Sequence, residues 1–160
     1  MKKGLFLSCL FLSCFVAAQS ICQQERYLEE IFNNVDVTTG IEFANADPYG
    51  IINNQTLRLD IYEPDGDTLQ ERPVVIHAFG GGFLIGIRNQ PDIPNWGNQY
   101  AKRGFVFVSI QYRLGFNATD PNSPVRAAYR ASQDYRAALR FLADNASQYR
   151  LDMDHIFLTG

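Results

Sequence analysis

Apolar residues recur along this chain at two different spacings, and the switches between them mark out its elements. From Ile21 to about Asn33, Tyr27, Leu28, Ile31 and Phe32 return every three or four residues among Glu25, Arg26, Glu29 and Glu30, which predicts a helix. Val35, Val37, Thr38-Thr39-Gly40 and Ile41 to Ala44 then mix β-branched and turn residues, and Asp47-Pro48 favours a turn across Asn45–Gly50. Leu57-Arg58-Leu59-Asp60-Ile61-Tyr62 alternates as a half-exposed strand should, and ends at Glu63-Pro64-Asp65-Gly66. Val74-Val75-Ile76-His77 and Phe105 to Ile110 are continuous apolar runs, the pattern of strands buried on both faces. Between them, Trp96 to Arg103 predicts a helix closed by Gly104.

Ser123 and Pro124 predict the start of a long helix, the serine as cap and the proline at its first position. That helix is expected to run to about Tyr149, with Ala128, Ala131, Tyr135, Ala138, Leu139 and Leu142 on one face. Ile156 to Thr159 is the last predicted strand, and Gly160 follows it. Strands alternating with helices imply βαβ crossovers, hence an α/β fold with a mostly parallel sheet flanked by helices.

Residues 1–18 fall outside this pattern. Lys2 and Lys3 precede an uncharged, mostly apolar run from Gly4 to Phe15, followed by Val16-Ala17-Ala18. A basic start, an apolar middle and small residues at the end describe a secretory signal peptide, here cut after Ala18. The alternatives are a membrane anchor, for which the run falls short of the roughly twenty residues a bilayer demands, and a lipoprotein signal cut before Cys14. Residues 19–160 then show no internal boundary and are expected to be the N-terminal part of a single domain of an exported protein, with no stable membrane span. Losing two of the fourteen basic residues with the signal leaves a net charge of −5, without a basic block for nucleic acid. Cys9 and Cys14 leave too, so Cys22 is alone, and no Cys/His cluster offers a metal site or implies a cofactor.

The chemistry concentrates where a buried strand breaks into Gly80-Gly81-Gly82. A dinucleotide fingerprint fails at Ile85, where its last glycine belongs, and a phosphate-binding P-loop fails at Ile87 and Arg88, which stand in place of Lys and Ser/Thr. A tight loop that needs positive φ angles remains open. So does an oxyanion hole, where backbone N–H groups stabilise the charge developing on an ester carbonyl.

The surrounding residues separate these two readings. Leu59-Asp60-Ile61-Tyr62-Glu63-Pro64, Arg72-Pro73-Val74-Val75-Ile76, and Gly80-Gly81-Gly82-Phe83 with Gly86 resemble the carboxylesterase and lipase branch of the α/β-hydrolases. So do Tyr100 to Gly115, Gln133 to Leu142, and Tyr149-Arg150-Leu151-Asp152 leading to Gly160. The resemblance runs in unbroken order over residues 57–160. It implies an incomplete α/β-hydrolase fold, a small-molecule ester as substrate, and an oxyanion held by the N–H groups of Gly81 and Gly82. Gly160 would open the Gly-x-Ser-x-Gly turn that presents the nucleophile, so the serine is expected two residues past it. The chain as given would then lack nucleophile, acid and base. Many relatives read His-Gly-Gly-Gly, whereas Phe79 precedes the glycines here. Cholinesterase-like members also place an aromatic residue there.

In this family the order is serine, acid, histidine, so His77 and His155 come too early to be the base. His77 is expected to be a hydrogen-bonded structural residue and His155 a surface one. Asp134 and Arg136, within the long helix, are expected to form a solvated or packing-related ion pair. Ser109 and Ser132 lack a glycine elbow. Asn54, Asn117 and Asn145 begin N-glycosylation triplets. Peptidase, lactonase or acyltransferase chemistry, and a recognition role without catalysis, remain alternatives on the same fold.

Overall fold

A computed structural model describes residues 25–47 and 55–160. The predicted signal peptide, Cys22 and Asn54 lie outside the described residues. The strands are β1 (Val35–Ala46), β2 (Gln55–Pro64), β3 (Arg72–Ala78), β4 (Val106–Ile110) and β5 (Leu151–Thr159). Helix α1 (Ile93–Lys102) joins β3 to β4, and α2 (Ser123–Asp144) joins β4 to β5. One sheet contains all five strands, in the order β1-β2-β4-β3-β5.

The sheet is mixed. Strands β4, β3 and β5 pair in parallel, while β2 is antiparallel to both β1 and β4. Helical crossovers return the chain to the same direction only from β3 onward, and before that it simply reverses. The parallel expectation therefore holds for the half of the sheet that the two helices span.

Alternation along the strands divides the core in two. Val74, Ile76, Val106, Val108 and Ile110 turn to one face and meet Ala138 and Leu142 of α2. Val75, Phe107 and Tyr62 turn to the other and meet Ile93 and Ala101 of α1. Burying each large side chain of this kind contributes roughly 1.5–3 kcal/mol. Helix α1 lies so close to the sheet that a Cβ at Gly97 would stand 2.7 Å from the Tyr62 ring.

Four local expectations are corrected. Residues 25–33 are turns and extended chain, not helix, and Glu25 and Tyr27 have φ angles of 61° and 76°. Their amides serve the end of α1 instead: Tyr27 N–H donates to the Arg103 carbonyl at 2.8 Å, and those of Ile31 and Phe32 to Lys102. These bonds satisfy carbonyls that a helix C-terminus leaves open. Strand β2 is not half exposed, because Asp60 and Tyr62 are buried along with its apolar residues. It lies inside the sheet between β1 and β4, under α1.

Helix α2 buries Ser123, Ala127, Asp134, Ala138 and Leu142, while Ala128 is exposed. Asn122 is its cap residue, and the Ser123 hydroxyl instead accepts the Asn117 N–H at 2.6 Å. The helix ends at Asp144, with turns continuing to residue 150. Finally, β5 begins at Leu151, so His155 lies within a strand rather than a loop. Its side chain is exposed, as expected, and its Nδ1 is 2.7 Å from Asp152.

Candidate active site

Strands β3 and β5 are parallel neighbours, with His77 paired to Thr159. Two chain segments consequently leave the same edge of the sheet side by side. One is Phe79 and the glycine run after β3; the other is Gly160 after β5. A Cβ on Gly160 would lie 2.9 Å from the Ala78 carbonyl oxygen, so the two backbones are nearly in contact.

The glycine loop has an unusual conformation. Gly81, Gly82 and Phe83 have φ angles of 146°, 60° and 63° in succession. A side chain at Gly81 would collide with the Ile85 carbonyl, so only glycine fits there. Phe83 does carry a side chain, and left-handed φ in a non-glycine residue costs about 1–3 kcal/mol. The Gly81 carbonyl accepts from Leu84 N–H at 3.1 Å. The N–H groups of Gly81 and Gly82 meet no acceptor among the described residues. The loop thus combines a tight turn with two main-chain donors left for other use.

The chain after β4 braces this loop. The Tyr112 ring stacks on Phe79 with centroids 4.4 Å apart, and its hydroxyl donates to the Phe79 carbonyl at 2.8 Å. Gly115 N–H donates to the Phe83 carbonyl at 2.9 Å, and the Gly115 carbonyl accepts from Arg130 Nη2 at 2.7 Å. Between Tyr112 and Gly115, Arg113 forms a buried ion pair with Asp134 at 2.7 Å. Asp134 therefore pairs across to the loop after β4, not along its own helix with Arg136. At the far end of the glycine loop, Arg88 Nε donates to the buried Asp60 at 2.9 Å, and its carbonyl accepts from the Ser109 hydroxyl at 2.5 Å. Asp60 also takes the Gly40 N–H at 2.7 Å, opposite a bulge in β1.

The polar side chains nearby are buried or bonded within the chain. His77 is buried between Trp96 and Phe107, and burial pushes its pKa below the ordinary histidine value, against the pull of Asp92. Its Nδ1 has no hydrogen-bond partner, so the expected hydrogen bond is not made at that atom. Tyr135 donates to the Ile76 carbonyl at 2.6 Å, and burial raises its pKa to about 12. The Ser132 hydroxyl is bonded to the Ala128 carbonyl of its own helix. Among the described residues no cluster of His, Cys, Asp or Glu could hold a metal, and no helix is long and apolar enough to cross a membrane.

The structure thus brings Gly81, Gly82 and Gly160 to one edge. Residue patterns did not reveal the bracing by Tyr112, Gly115, Arg130 and Asp60. The only signal was that Tyr112 to Gly115 belong to the stretch carrying the family resemblance.

Comparison with known proteins bears on the family and the fold. The BD-FAE family matches residues 59–160. Gut esterase 1 of Caenorhabditis briggsae is 33% identical over 107 residues, covering 65% of this chain and 18% of its own length. Secreted lipase 1 of Botryotinia fuckeliana is 30% identical over 110 residues, covering 65% of this chain and 19% of its own length. The crystal structure of esterase B from Lactobacillus Rhamnosis (HN001) superposes with a TM-score of 0.58 at 27% identity, over 84% of this chain and 38% of that one. The chain thus spans about a fifth of the length of these curated relatives.

Proposed function

We propose, on the premise that this chain belongs to the BD-FAE family of α/β-hydrolases, that it forms part of an exported serine esterase acting on carboxylic esters. The observation that carries this reading is the shared edge. The glycine loop after β3 and Gly160 after β5 leave parallel neighbours paired at His77 and Thr159. A nucleophile presented just beyond Gly160 would face a carbonyl whose oxygen sits against the N–H groups of Gly81 and Gly82.

In the reaction, a serine two residues past Gly160 attacks the carbonyl carbon, and its proton passes to a histidine further along the chain. Gly81 and Gly82 hold the resulting oxyanion, together with the N–H after the serine. The tetrahedral intermediate collapses, the protonated alcohol leaves, and water then attacks the acyl-enzyme to release the carboxylic acid. Each N–H matters because charge forms on the oxygen only as the barrier is climbed, and losing one such donor typically costs about 10²–10³ in rate.

Export rests on the basic, apolar and small-residue order of residues 1–18, and a secreted lipase among the relatives is compatible with it. The test uses the complete gene product. It should hydrolyse p-nitrophenyl acetate and react with an organophosphonate, and serine-to-alanine substitution at the elbow should abolish both. Turnover that survives the substitution refutes the reading. A Gly-x-Ser-x-Gly protein inert to the phosphonate would point to recognition without catalysis.

A further inference from the structure

We infer that Arg130 is a positioning residue for the glycine loop, holding Phe83 in its left-handed conformation through Gly115. The catalytic consequence rests on the ester-hydrolase reading; the clamp itself does not. Both main-chain polar groups of Gly115 are engaged, the N–H on the Phe83 carbonyl at 2.9 Å and the carbonyl on Arg130 Nη2 at 2.7 Å. Gly115 is therefore pinned between helix α2 and the loop.

Phe83 needs such a clamp. At φ 63° it occupies a region that side-chain-bearing residues rarely adopt, directly after Gly81 and Gly82. The other end of the loop has its own support, Tyr112 on Phe79. The Phe83 end has Gly115, together with an edge-on contact between the Phe83 and Tyr112 rings at 6.0 Å. A charged donor suits the task, because hydrogen bonds from ionised groups are about twice as strong as neutral ones. Arg130 stands one turn before Asp134, whose carboxylate is locked on Arg113, and the Arg130 carbonyl itself accepts from Arg113 Nη2 at 3.4 Å. Releasing Gly115 would let Phe83 relax, turning the Gly82–Phe83 peptide and, through it, the adjoining Gly81–Gly82 peptide that carries the Gly82 N–H. A displacement of about 1 Å at a positioned group can cost about 10²-fold in rate.

The test compares Arg130→Gln and Arg130→Lys with the wild-type complete gene product by hydrogen–deuterium exchange and steady-state kinetics. In Arg130→Gln, amides in residues 80–86 should exchange at least tenfold faster while β3 and β4 keep wild-type protection. Its kcat should fall about 10- to 100-fold with KM within about twofold. Arg130→Lys, which keeps a charged donor, should recover part of both effects, and it carries the comparison if the glutamine variant does not fold. Wild-type exchange in residues 80–86 of the variants overturns the clamp. Faster loop exchange with unchanged kcat overturns its link to the oxyanion donors. If the wild type hydrolyses no ester, the ester-hydrolase reading falls, and loop exchange alone decides the clamp.

Discussion

The Asp134 carboxylate takes both the guanidinium of Arg113, at 2.7 Å, and the Arg113 backbone N–H, at 2.8 Å, with Asp134 only 2% exposed. One helical side chain thereby fixes the chain between Tyr112 and Gly115, the stretch that braces the glycine loop. Removing one partner of a buried pair strands the other charge away from water. Asp134→Ala should therefore destabilise the protein by about 3–5 kcal/mol. Asp134→Asn should cost less, because an amide oxygen can still accept the Arg113 N–H. Urea unfolding of both variants checks the order, and equal losses would mean the backbone bond contributes nothing.

The glycine run offers a contrast between adjacent residues. A Cβ at Gly80 would meet nothing within 4 Å, whereas one at Gly81 would overlap the Ile85 carbonyl at a φ of 146°. Gly80→Ala should be within about 0.5 kcal/mol of wild type. Gly81→Ala should destabilise by about 2 kcal/mol or more and lower kcat of the complete gene product at least about 100-fold. Thermal unfolding and ester turnover measured side by side decide it. Similar effects at both positions would contradict the loop geometry.

His77 supplies an acid-side prediction. Burial against Trp96 and Phe107 holds its folded pKa below the 6.5 of a free histidine, despite Asp92. The unfolded chain therefore binds the proton more readily than the folded one. The stabilisation is complete above about pH 6.5 and is lost as pH falls through that value toward the lower folded pKa. His77→Phe keeps an aromatic ring against Phe107 but cannot titrate. Its stability should fall less than wild type between pH 7 and 5.5 in urea unfolding, and identical slopes would dismiss His77 as the cause.

How far these features could be read beforehand follows from the range of the forces involved. Val74–His77 and Phe105–Ile110 announce buried parallel strands because both faces of such strands are covered, which needs only a local apolar run. The triple glycine was legible because a collision with Ile85, four residues later in the same loop, excludes other side chains at Gly81. What escaped is whatever a distant partner decides. Tyr27, Leu28, Ile31 and Phe32 have helical spacing, yet the amides around them are claimed by carbonyls of Arg103 and Lys102. Asp60 looked solvent-facing by alternation, but it accepts from Gly40 and Arg88 in the interior. Asp134 looked like one half of an ion pair with Arg136 in its own helix, and its partner Arg113 belongs to another element. Polar residues fixed by long-range bonds leave no periodic trace, and those same residues hold the candidate site in shape.

Tyr135 makes the alkaline limit testable. Its hydroxyl donates to the Ile76 carbonyl at 2.6 Å and lies 3.2 Å from that of Thr159, spanning the seam between β3 and β5. Only the protonated phenol can donate, and burial lifts its pKa to about 12, above the roughly 10 of an unfolded tyrosine. A raised folded pKa means that the stabilisation is whole below about pH 10 and drains away as pH climbs through 12. Burial raises Tyr62, Tyr112 and Tyr149 as well, so the wild type should lose stability steeply above pH 10. Tyr135→Phe should begin about 1 kcal/mol less stable at pH 8, having lost one hydrogen bond. It should then decline less between pH 10 and 12, because one of the titrating groups is gone. Urea unfolding at half-unit pH steps would show two curves converging with rising pH. Curves that stay parallel would mean the Tyr135 hydroxyl does not hold the two strands together.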